Sequence, residues 1–417
     1  MKHTIHLIGV DGTGLTPEKI NILKCCPTIL GAERFITLLR PILAAHPESK
    51  FLPISPVSEA LSRIEEALTV SDVGVIAGGD PLFFGIGRTL CRRFGEETLQ
   101  IYPAVSSMQM AFARFKIPWD DAHFHSVHGR GMEHVVSQIG TLTKVFLLTD
   151  AKNSPAVIAA LLLESIGEKE ADCYTVHIAE NLGEDNEQLT TARLQEITQK
   201  DFSRLSVMII TRKVDETLSL RPRFGLREEE IIHSRGLITK NEVRAATLHA
   251  LRLPDAGVFW DIGAGSGSVG LEAARMFPLL RIIAVESKAE QIENILANRN
   301  TFNAFNIQVI HGNAPEILNS QPDPDRIFVG GSGNRLEDIL RKCVERLKPG
   351  GTIVVNGVIE KTSLAAPEIL HRMGLTVSIA TVSVRRCNYP ENQFTELNPI
   401  TIISGHKPRI SLQEGVV

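Results

Sequence analysis

A glycine-rich turn between a predicted strand and a predicted helix could bind a small molecule. Residues 258–270 read VFWDIGAGSGSVG, where an apolar run leads to Asp261 and then to Gly263, Gly265 and Gly267 at alternating positions. Glycine lets a ligand approach the backbone closely, because no Cβ stands in the way. The amides of the turn and of the helix N-terminus would then face that ligand. The pattern therefore indicates binding of a nucleotide-like molecule.

The spacing within this turn fits two kinds of cofactor. Gly265, Gly267 and Gly270 match G-x-G-x-x-G, a dinucleotide pattern. Read from Asp261, the same turn matches D/E-x-G-x-G-x-G, the loop of S-adenosylmethionine (SAM) enzymes. An acidic residue is expected about 20 residues further on, at the end of a second strand, to hold ribose hydroxyls. Glu286 occupies that position in RIIAVES, which favours a nucleotide site over a ligand-free turn.

The end of the chain favours SAM over a dinucleotide. The segments TVSVRRCNY and NPITIISGHK are rich in β-forming residues, and no helix is predicted between them. Adjacent strands without a helical crossover must be antiparallel. A dehydrogenase domain would continue with parallel strand–helix units, whereas a SAM methyltransferase sheet ends in an antiparallel pair. An NAD- or FAD-dependent oxidoreductase with two glycine loops remains the alternative, as does a methyltransferase of another substrate class.

Length and composition indicate a globular protein of several domains. The chain has 417 residues, which suits two or three domains, and 43% of its residues are hydrophobic. Its formal charge of −4 predicts no general attraction to nucleic acid or to a membrane surface. We find no signal-peptide pattern, no apolar run that could span a bilayer and no C-x-x-C spacing. We therefore expect a cytoplasmic protein with reduced thiols and no bound metal.

The first half of the chain repeats a strand that runs into a glycine-rich or polar turn. The strands are contained in HTIHLIGV, DVGVIAGG and IYPAV, and a helix is predicted after each turn. Such turns place unpaired backbone groups at strand ends, where α/β sheets bind ligands. The turn residues that could contact a cofactor are Gly9, Gly79, Asp80, Pro81, Ser106 and Ser107.

These motifs together resemble the tetrapyrrole methyltransferases of corrin and sirohaem biosynthesis. The resemblance rests on IGVDGTGL, AGGDPLFFGIG, PAVSSMQMA, SVHGR and LLTDAKNSP, and it covers roughly residues 1–213. SVHGR and GGDPLFFGIG are most similar to the branch that methylates precorrin-6. The resemblance implies a two-lobed class III fold, SAM contacts at the turns just named, and methylation at C5. In the first loop, Asp11 and Thr13 depart from the family's G-x-G-P-G pattern.

Three histidines in HFHSVHGR could contact a metal or a substrate. His123, His125 and His128 could gather on one face, but no carboxylate or thiol stands at ligand spacing nearby, which disfavours metal. His128 and Arg130 could instead contact substrate carboxylates, because a guanidinium pairs with a carboxylate through two hydrogen bonds. A partly exposed loop without a ligand is the remaining interpretation.

The second half resembles the decarboxylating methyltransferases that act on precorrin-6 or its cobalt form. GLITKNEVRAATL, WDIGAGSGSVGLEAA, AVES, HGNAP, IFVGGSG, RLKPGG and RRCNYPENQF carry this resemblance over residues 236–407. It implies a Rossmann-like class I SAM methyltransferase fold that methylates C15 and removes the carboxylate of the ring-C (C12) acetate. A chain that joins this domain to a C5-methylating domain would take part in the biosynthesis of the corrin ring of cobalamin. Proteins of these families usually associate, so the resemblance also implies a homo-oligomer.

In this half we expect a SAM site at the ends of three strands. Asp261 would orient the loop or the methionine amine, and Glu286 would accept hydrogen bonds from ribose hydroxyls. Asn313 and Ala314 would border the adenine. The full set assigned to the cofactor here is Asp261, Gly263, Gly265, Gly267, Glu286, Asn313 and Ala314.

Arg385, Arg386 and Tyr389 are candidates for the rim of the substrate pocket. Their cationic and phenolic groups could hold a carboxylate of the tetrapyrrole. Adjacent arginines on a strand point to opposite faces, so a solvated hairpin is an equally good interpretation of RRCNY.

A linker between two α/β domains completes the predicted organisation. We place a tetrapyrrole methyltransferase domain at 1–213, a linker at 214–232 and a SAM methyltransferase domain at 233–417, because a proline and a glycine with polar flanks break the periodicity between them. Thr239 is predicted to cap the first helix of the second domain, with Glu242 completing a capping box.

Overall fold

The computed structural model describes residues 3–11, 14–43, 49–127, 133–213 and 222–409. Contacts within the chain divide it into two compact units. The first unit comprises Met1–Arg130, Lys144–Ala159 and Tyr174–Thr211, and the second comprises Gly131–Thr143, Ala160–Cys173 and Arg212–Val417. Part of the predicted linker, residues 214–221, lies outside the described residues.

Strands and helices alternate through the first half of the chain, as the sequence predicts. In chain order they are β1 (Ile5–Val10), α1 (Pro17–Lys24), β2 (Thr28–Gly31), α2 (Glu33–Ile42), β3 (Lys50–Pro53), α3 (Val57–Ala67), β4 (Val73–Gly78), α4 (Gly87–Phe94), β5 (Leu99–Tyr102), α5 (Ser107–Phe115), β6 (His123–Ser126), α6 (Glu133–Thr141), β7 (Lys144–Leu148), α7 (Pro155–Ile166), α8 (Glu168–Ala171), β8 (Tyr174–Glu180), β9 (Gln188–Ala192), α9 (Leu194–Ile197) and β10 (Ser206–Arg212).

The first sheet is parallel throughout and has the order β3-β2-β4-β1-β5. Its central strands are nearly continuous apolar runs, as strands covered on both faces must be. In β1, Ile5, Leu7 and Ile8 are fully buried. Because β1 lies between β4 and β5, the turns that follow these three strands meet at one edge of the sheet.

The second sheet is mixed, with the order β6-β7-β10-β8-β9. Strands β6 and β7 are parallel, whereas β10 is antiparallel to β7. Phe124 of β6 and Phe146 of β7 pack with Phe83, whose ring centroid lies 5.7 Å and 6.0 Å from theirs. The loop that contains Phe83 is therefore fixed by an aromatic cluster. Two α/β sheets in this half match the predicted two-lobed architecture.

The second half forms one seven-stranded sheet with helices between its strands. The elements are α10 (Asn241–Leu251), β11 (Ala256–Ile262), α11 (Ser268–Met276), β12 (Leu279–Glu286), α12 (Ala289–Thr301), β13 (Ile307–His311), β14 (Arg326–Val329), α13 (Leu336–Arg346), β15 (Thr352–Gly357), α14 (Glu360–Arg372), β16 (Thr376–Asn388) and β17 (Gln393–His406). A short 3-10 helix spans Glu316–Ser320.

The strand order of this sheet is β13-β12-β11-β14-β15-β17-β16. Strands β11 to β15 are parallel, β17 is antiparallel to β15, and β16 is antiparallel to β17. The predicted antiparallel pair at the end of the chain is thus confirmed, together with the class I SAM methyltransferase fold. Apolar side chains cover both faces of the sheet, with Trp260 on one face and Phe259 on the other.

The predicted capping box at the start of α10 is wrong. The helix begins at Asn241, its N-cap residue is Lys240, and no side chain caps it. The Glu242 carboxylate binds the guanidinium of Arg386, 144 residues away. A charge-assisted contact with a distant strand therefore replaces the local cap that the sequence suggests.

Candidate functional site

A cavity of about 840 Å³ opens at the carboxyl ends of the parallel strands of the third sheet. Chain connections from β11 and β14 leave in opposite directions, which makes this edge the switch point where α/β sheets bind ligands. The volume suits a cofactor-sized ligand. The lining residues are Ile262, Gly263, Val285, Glu286, Ser287, Lys288, Gly312, Asn313, Ala314, Glu316, Ile317, Gly331, Ser332, Gly333, Asn334, Arg335 and Ile339.

The absence of a Cβ serves different purposes at Gly263 and Gly265, in the loop after β11. Gly263 has φ +65°, and a Cβ there would collide with the backbone of Gly331 in the loop after β14. Gly265 has φ +57°, but a Cβ there would meet no atom within 4 Å. Gly263 therefore permits two loops to pack, whereas Gly265 leaves free space on the loop surface. That space, beside a lined cavity, is what a closely approaching ligand needs.

Asp261 lies beneath the loop rather than in the cavity wall. Its side chain is fully buried, and Oδ2 accepts a hydrogen bond of 2.9 Å from the amide of Gly270 in the first turn of α11. Oδ1 has no hydrogen-bond partner. Burial raises the pKa of Asp261 to about 7, and the negative charge of Glu286 adds to this effect. Asp261 thus fastens the start of α11 to the end of β11.

Glu286 joins the loop to the end of the second strand. Oε2 accepts a hydrogen bond of 2.9 Å from the amide of Gly265, and Oε1 accepts from the amides of Ser287 and Lys288 at 2.8 and 3.0 Å. The carboxylate lines the cavity and keeps lone pairs for further donors. Asn313 and Ala314, which follow β13, line the next part of the cavity. Of the seven predicted cofactor residues, the cavity lining thus contains Gly263, Glu286, Asn313 and Ala314, and it does not contain Asp261, Gly265 or Gly267.

A buried ion pair behind the loop was not singled out from the sequence. Arg244 of α10 and Glu272 of α11 are each 1% exposed, and Nε donates to Oε2 over 3.1 Å. The other carboxylate oxygen accepts from the amides of Gly225 and Leu226, and the guanidinium also donates to the carbonyl of Thr239. Every charged group in this network has a partner, as buried charges require. The network fixes the helix that presents its N-terminus to the cavity.

In the first unit, the predicted turns meet at the carboxyl ends of β1, β4 and β5. A Cβ on Gly9 would collide with the Gly79 carbonyl and the Ala104 amide, so this glycine lets the backbones of neighbouring turns touch. The Asp11 carboxylate accepts a hydrogen bond of 3.2 Å from the amide of Val105. Although Asp11 departs from the family's loop pattern, it therefore ties the first turn to the third.

The polar side chains of these turns serve local structure. Asp80 accepts from the amide of Leu82 at 2.8 Å, which closes the turn around Pro81. Ser106 is buried and forms a capping box with Gln109 at the start of α5, which begins at Ser107. A cofactor at this edge would therefore meet mainly backbone groups.

The comparisons with known proteins cover both halves of the chain. Residues 4–198 match the model of the tetrapyrrole (corrin/porphyrin) methylases, and residues 230–405 match the precorrin methyltransferase domain. The precorrin-6Y C(5,15)-methyltransferase (decarboxylating) of a Sinorhizobium species is 31% identical over 413 residues, which are 99% of this chain and 95% of that protein. The chain belongs to the precorrin-6Y C(5,15)-methyltransferase (decarboxylating) family.

Two shorter relatives of the precorrin-6Y C(5,15)-methyltransferase family are similar to part of the chain. A probable cobalt-precorrin-6B C(15)-methyltransferase (decarboxylating) of Sulfurisphaera tokodaii is 33% identical over 189 residues, covering 44% of this chain and 98% of that protein. A solved precorrin-6Y C5,15-methyltransferase structure from Geobacter metallireducens GS-15 is 42% identical, with a TM-score of 0.44, and covers 45% of this chain and 97% of that chain.

SAM is the cofactor of this precorrin-6Y C(5,15)-methyltransferase family member, as the sequence predicts. The residues present fit it, because a strand-end carboxylate and a polar third strand end line one cavity, and the open surface of Gly265 adjoins that carboxylate. Among the described helices, none is both long and apolar enough to cross a membrane. Within the described ranges, no three side chains of His, Cys, Asp and Glu are grouped as a metal ion would need.

The structure does not place the rim candidates in the cavity lining. The Arg386 guanidinium binds the carboxylates of Glu242 and Glu228, each at 2.7 Å. Arg385 points elsewhere, over the ring of Phe394 at 4.3 Å, and Tyr389 is 86% exposed. The opposite partners of the two arginines agree with the alternation of side chains along a strand.

The remaining substrate candidates, His128 and Arg130, lie outside the described residues. Of the other two histidines, His125 is half-buried, and its pKa is lowered by burial and then by the neighbouring His123.

Sequence reasoning missed Glu316 and Arg335, two charged residues of the cavity lining. Arg335 donates through both terminal nitrogens to the Glu316 carboxylate, at 2.9 and 2.6 Å. The available signal was position, since each residue follows closely on a parallel strand of the sheet, β13 or β14.

Proposed function

We propose that this chain methylates precorrin-6, or its cobalt form, at C5 and C15 and removes the ring-C acetate carboxylate as CO2, in cobalamin biosynthesis. The donor of both methyl groups is SAM. The observation that carries the proposal is the match of 99% of the chain to a decarboxylating precorrin-6Y C(5,15)-methyltransferase. A cofactor-sized cavity at the switch point of the third sheet supports the proposal.

We assign C5 methylation to the domain at 1–213, and C15 methylation with decarboxylation to the domain at 233–417. A relative that matches only 189 residues of this chain is named for C15 methylation and decarboxylation together, which supports housing both steps in one domain. The domain model matched at 230–405 has about that length.

In the C-terminal site, bound SAM supplies an activated methyl group for in-line displacement by a ring carbon. Glu286 would accept hydrogen bonds from the ribose hydroxyls, and Asn313 and Ala314 would border the adenine. Gly263, Gly265 and Gly267 offer backbone contacts, with Asp261 holding the loop on α11. These residues place one reactant, and exact placement can supply roughly 7–11 kcal/mol at best towards the barrier.

Loss of CO2 needs an electron sink, which the conjugated ring provides. The protein must then position the acetate and admit a proton to its methylene carbon, which becomes a methyl group. Arg385 and Tyr389 remain the proposed rim of the substrate pocket, where they contact carboxylates that the product keeps, because both side chains are exposed. Arg386 supports them from its fixed position beside Glu228 and Glu242.

In the N-terminal site, SAM would be held by backbone groups of Gly9, Gly79, Asp80 and Pro81 and of the turn at Ser106 and Ser107. Exposed apolar side chains surround these turns and suit the flat face of a tetrapyrrole; they are Leu82, Phe84 and Val105. His128 and Arg130 are proposed to bind its carboxylates, as the sequence suggests.

We further propose that the protein works in the cytoplasm as a homo-oligomer, without nucleic-acid or membrane partners. Its formal charge of −4 supports the lack of polyanion binding. Light scattering of the purified chain measures the oligomeric state, and a monomer would contradict that part.

The test of the function is the mass of the product. The full chain, supplied with SAM and precorrin-6, should give a tetrapyrrole with two added methyl groups and one CO2 lost. A calorimetric titration with NAD should give no binding. Authentic substrate that keeps its mass in the presence of active cofactor would refute the function.

A further inference from the structure

The ion pair between Arg335 and Glu316 borders the proposed SAM cavity of the C-terminal domain. The proposed function gives its guanidinium no role. Arg335 lies at the N-cap of α13, in the loop that follows β14, and Glu316 opens the 3-10 helix that follows β13. Their side chains are 44% and 62% exposed, and both line the cavity. The pair thus connects two loops of the cavity wall at its solvent-facing side.

The contact has the geometry that a guanidinium makes with a bound carboxylate. Both terminal nitrogens of Arg335 donate to Glu316, one to each carboxylate oxygen. The hydrogen bonds between the two side chains raise the pKa of Arg335 and lower that of Glu316, and their opposite charges add to both shifts. A planar guanidinium fork fits the carboxylate of a ligand in the same way.

Because the pair is exposed, exchanging Glu316 for another carboxylate is easy. Exposed ion pairs are weakened by water and by salt, so they contribute little to stability. Arg386 also makes a bidentate contact with a carboxylate, that of Glu242, but it is held by Glu228 as well. Arg335 has its second carboxylate, that of Asp338, only at 3.9 Å.

We infer that Arg335 is the residue of the C-terminal site that binds a carboxylate side chain of the tetrapyrrole, and that Glu316 occupies the guanidinium until the substrate displaces it. The inference rests on the proposed function and adds a specificity-determining residue to it. The methionine carboxylate of SAM has the same chemistry, but loop amides and the N-terminus of α11 are available to it. The tetrapyrrole is therefore the ligand assigned to Arg335.

The bound carboxylate is one that the product keeps. Pairing with a guanidinium stabilises the negative charge of a carboxylate, and this charge must leave the group when CO2 departs. Arg335 on the reacting acetate would therefore slow decarboxylation. When Arg335 binds a different carboxylate, it positions the ring without slowing the loss of CO2. Arg335 is therefore a binding residue that takes no part in bond breaking.

The experiment compares Arg335→Gln with Glu316→Gln in the full chain. Precorrin-6 is titrated into the complex with S-adenosylhomocysteine, which measures substrate binding without turnover, and calorimetry with SAM measures cofactor binding. Arg341→Gln is the matched control, because Arg341 is an exposed arginine of α13 that pairs with Glu337 and is not in the cavity lining. Product mass is recorded for each variant.

The two variants should change substrate affinity in opposite directions. Arg335→Gln should weaken precorrin-6 binding about tenfold, leave SAM affinity unchanged and keep one CO2 lost per C15 methylation. Glu316→Gln should tighten precorrin-6 binding about threefold, because it removes the internal competitor. Arg341→Gln should match the unchanged chain.

The inference would be overturned if both variants weakened precorrin-6 binding alike, as expected of a purely structural pair. It would also be overturned if Arg335→Gln left precorrin-6 binding unchanged, or if it weakened SAM binding instead. If the unchanged chain binds precorrin-6 but does not methylate it, the proposed function fails while the binding comparison still decides the role of Arg335.

Discussion

At the scale of single residues, the C-terminal loop shows that one motif can contain glycines with separate physical roles. Gly263 faces the backbone of Gly331, and Gly270 would bring a Cβ within 2.8 Å of Asp261 Oδ2, so both serve packing. Gly265 alone of these three leaves open space. Spacing assigns Gly263 and Gly265 alike to the cofactor, because it carries no information about which neighbour approaches which residue. Gly270 enters the sequence argument only as part of the dinucleotide pattern.

The buried Asp261 carboxyl should make the stability of the C-terminal domain depend on pH. Its pKa rises from 3.8 to about 7 on folding, so between these values the folded chain holds a proton that the unfolded chain has released. The free energy of unfolding should therefore fall as pH rises through this window, by up to about 4 kcal/mol from this group, and this loss should end above about pH 7.

Asp261→Asn tests this effect, since an amide does not titrate. In a Trp119→Phe background, Trp260 is the one remaining tryptophan, and its fully buried ring adjoins Asp261 in the chain. Urea unfolding followed by its fluorescence should show a stability difference between the aspartate and asparagine forms that shifts with pH between 4 and 7. A difference that stays constant over this range would contradict the raised pKa.

At the scale of helices and strands, the sequence predicts the order of elements better than the contacts that fix them. Periodicity and glycine turns indicate the alternating strands and helices, and the absence of a helix in the tail indicates the antiparallel pair. The predicted cap of α10 is wrong because the Glu242 carboxylate binds the guanidinium of Arg386, 144 residues away, and no side chain caps the helix. A local capping pattern does not reveal such a distant partner.

Removing the charge of Glu272 should destabilise the helices that carry the SAM loop. Glu272→Gln leaves the guanidinium of Arg244 buried without a counter-charge, and breaking a buried pair in this way costs about 3–5 kcal/mol. Trp260 fluorescence during urea unfolding measures the loss. Glu290→Gln, at an exposed position of α12, should stay within about 0.5 kcal/mol. Equal stability of these two variants would show that the buried network is dispensable.

At the scale of the whole molecule, the proposal gives one chain two SAM sites on unrelated sheets. Residues 4–198 and 230–405 match separate domain models, and each region has its own glycine turn at the end of a strand. Fold, family and cofactor could be predicted from motifs in both halves. The ion pair between Glu316 and Arg335 could not be predicted, because its two residues belong to loops that only the folded sheet brings together.

Changing Gly265 should remove one of these sites and leave the other. Gly265→Ala places a methyl group in the open space of the loop, and its φ of +57° adds a modest strain. Calorimetry should fall from two SAM molecules per chain to one, and no product should have lost CO2. Gly374→Ala carries similar strain, with φ +82° and no atom within 4 Å, and should keep both sites. Decarboxylated product from Gly265→Ala would argue against the assignment.

Because Gly263 and Gly270 serve packing and Gly265 faces open space, these glycines carry different information when related sequences are compared. A homologue whose second half had ceased to catalyse would still need glycine at 263 and 270 to fold, so selection would preserve most of the familiar signature in such a pseudoenzyme. Only position 265 would be released to drift. In genome surveys, a side chain at that single position would therefore be the earliest mark of a fusion protein that has lost one of its two activities.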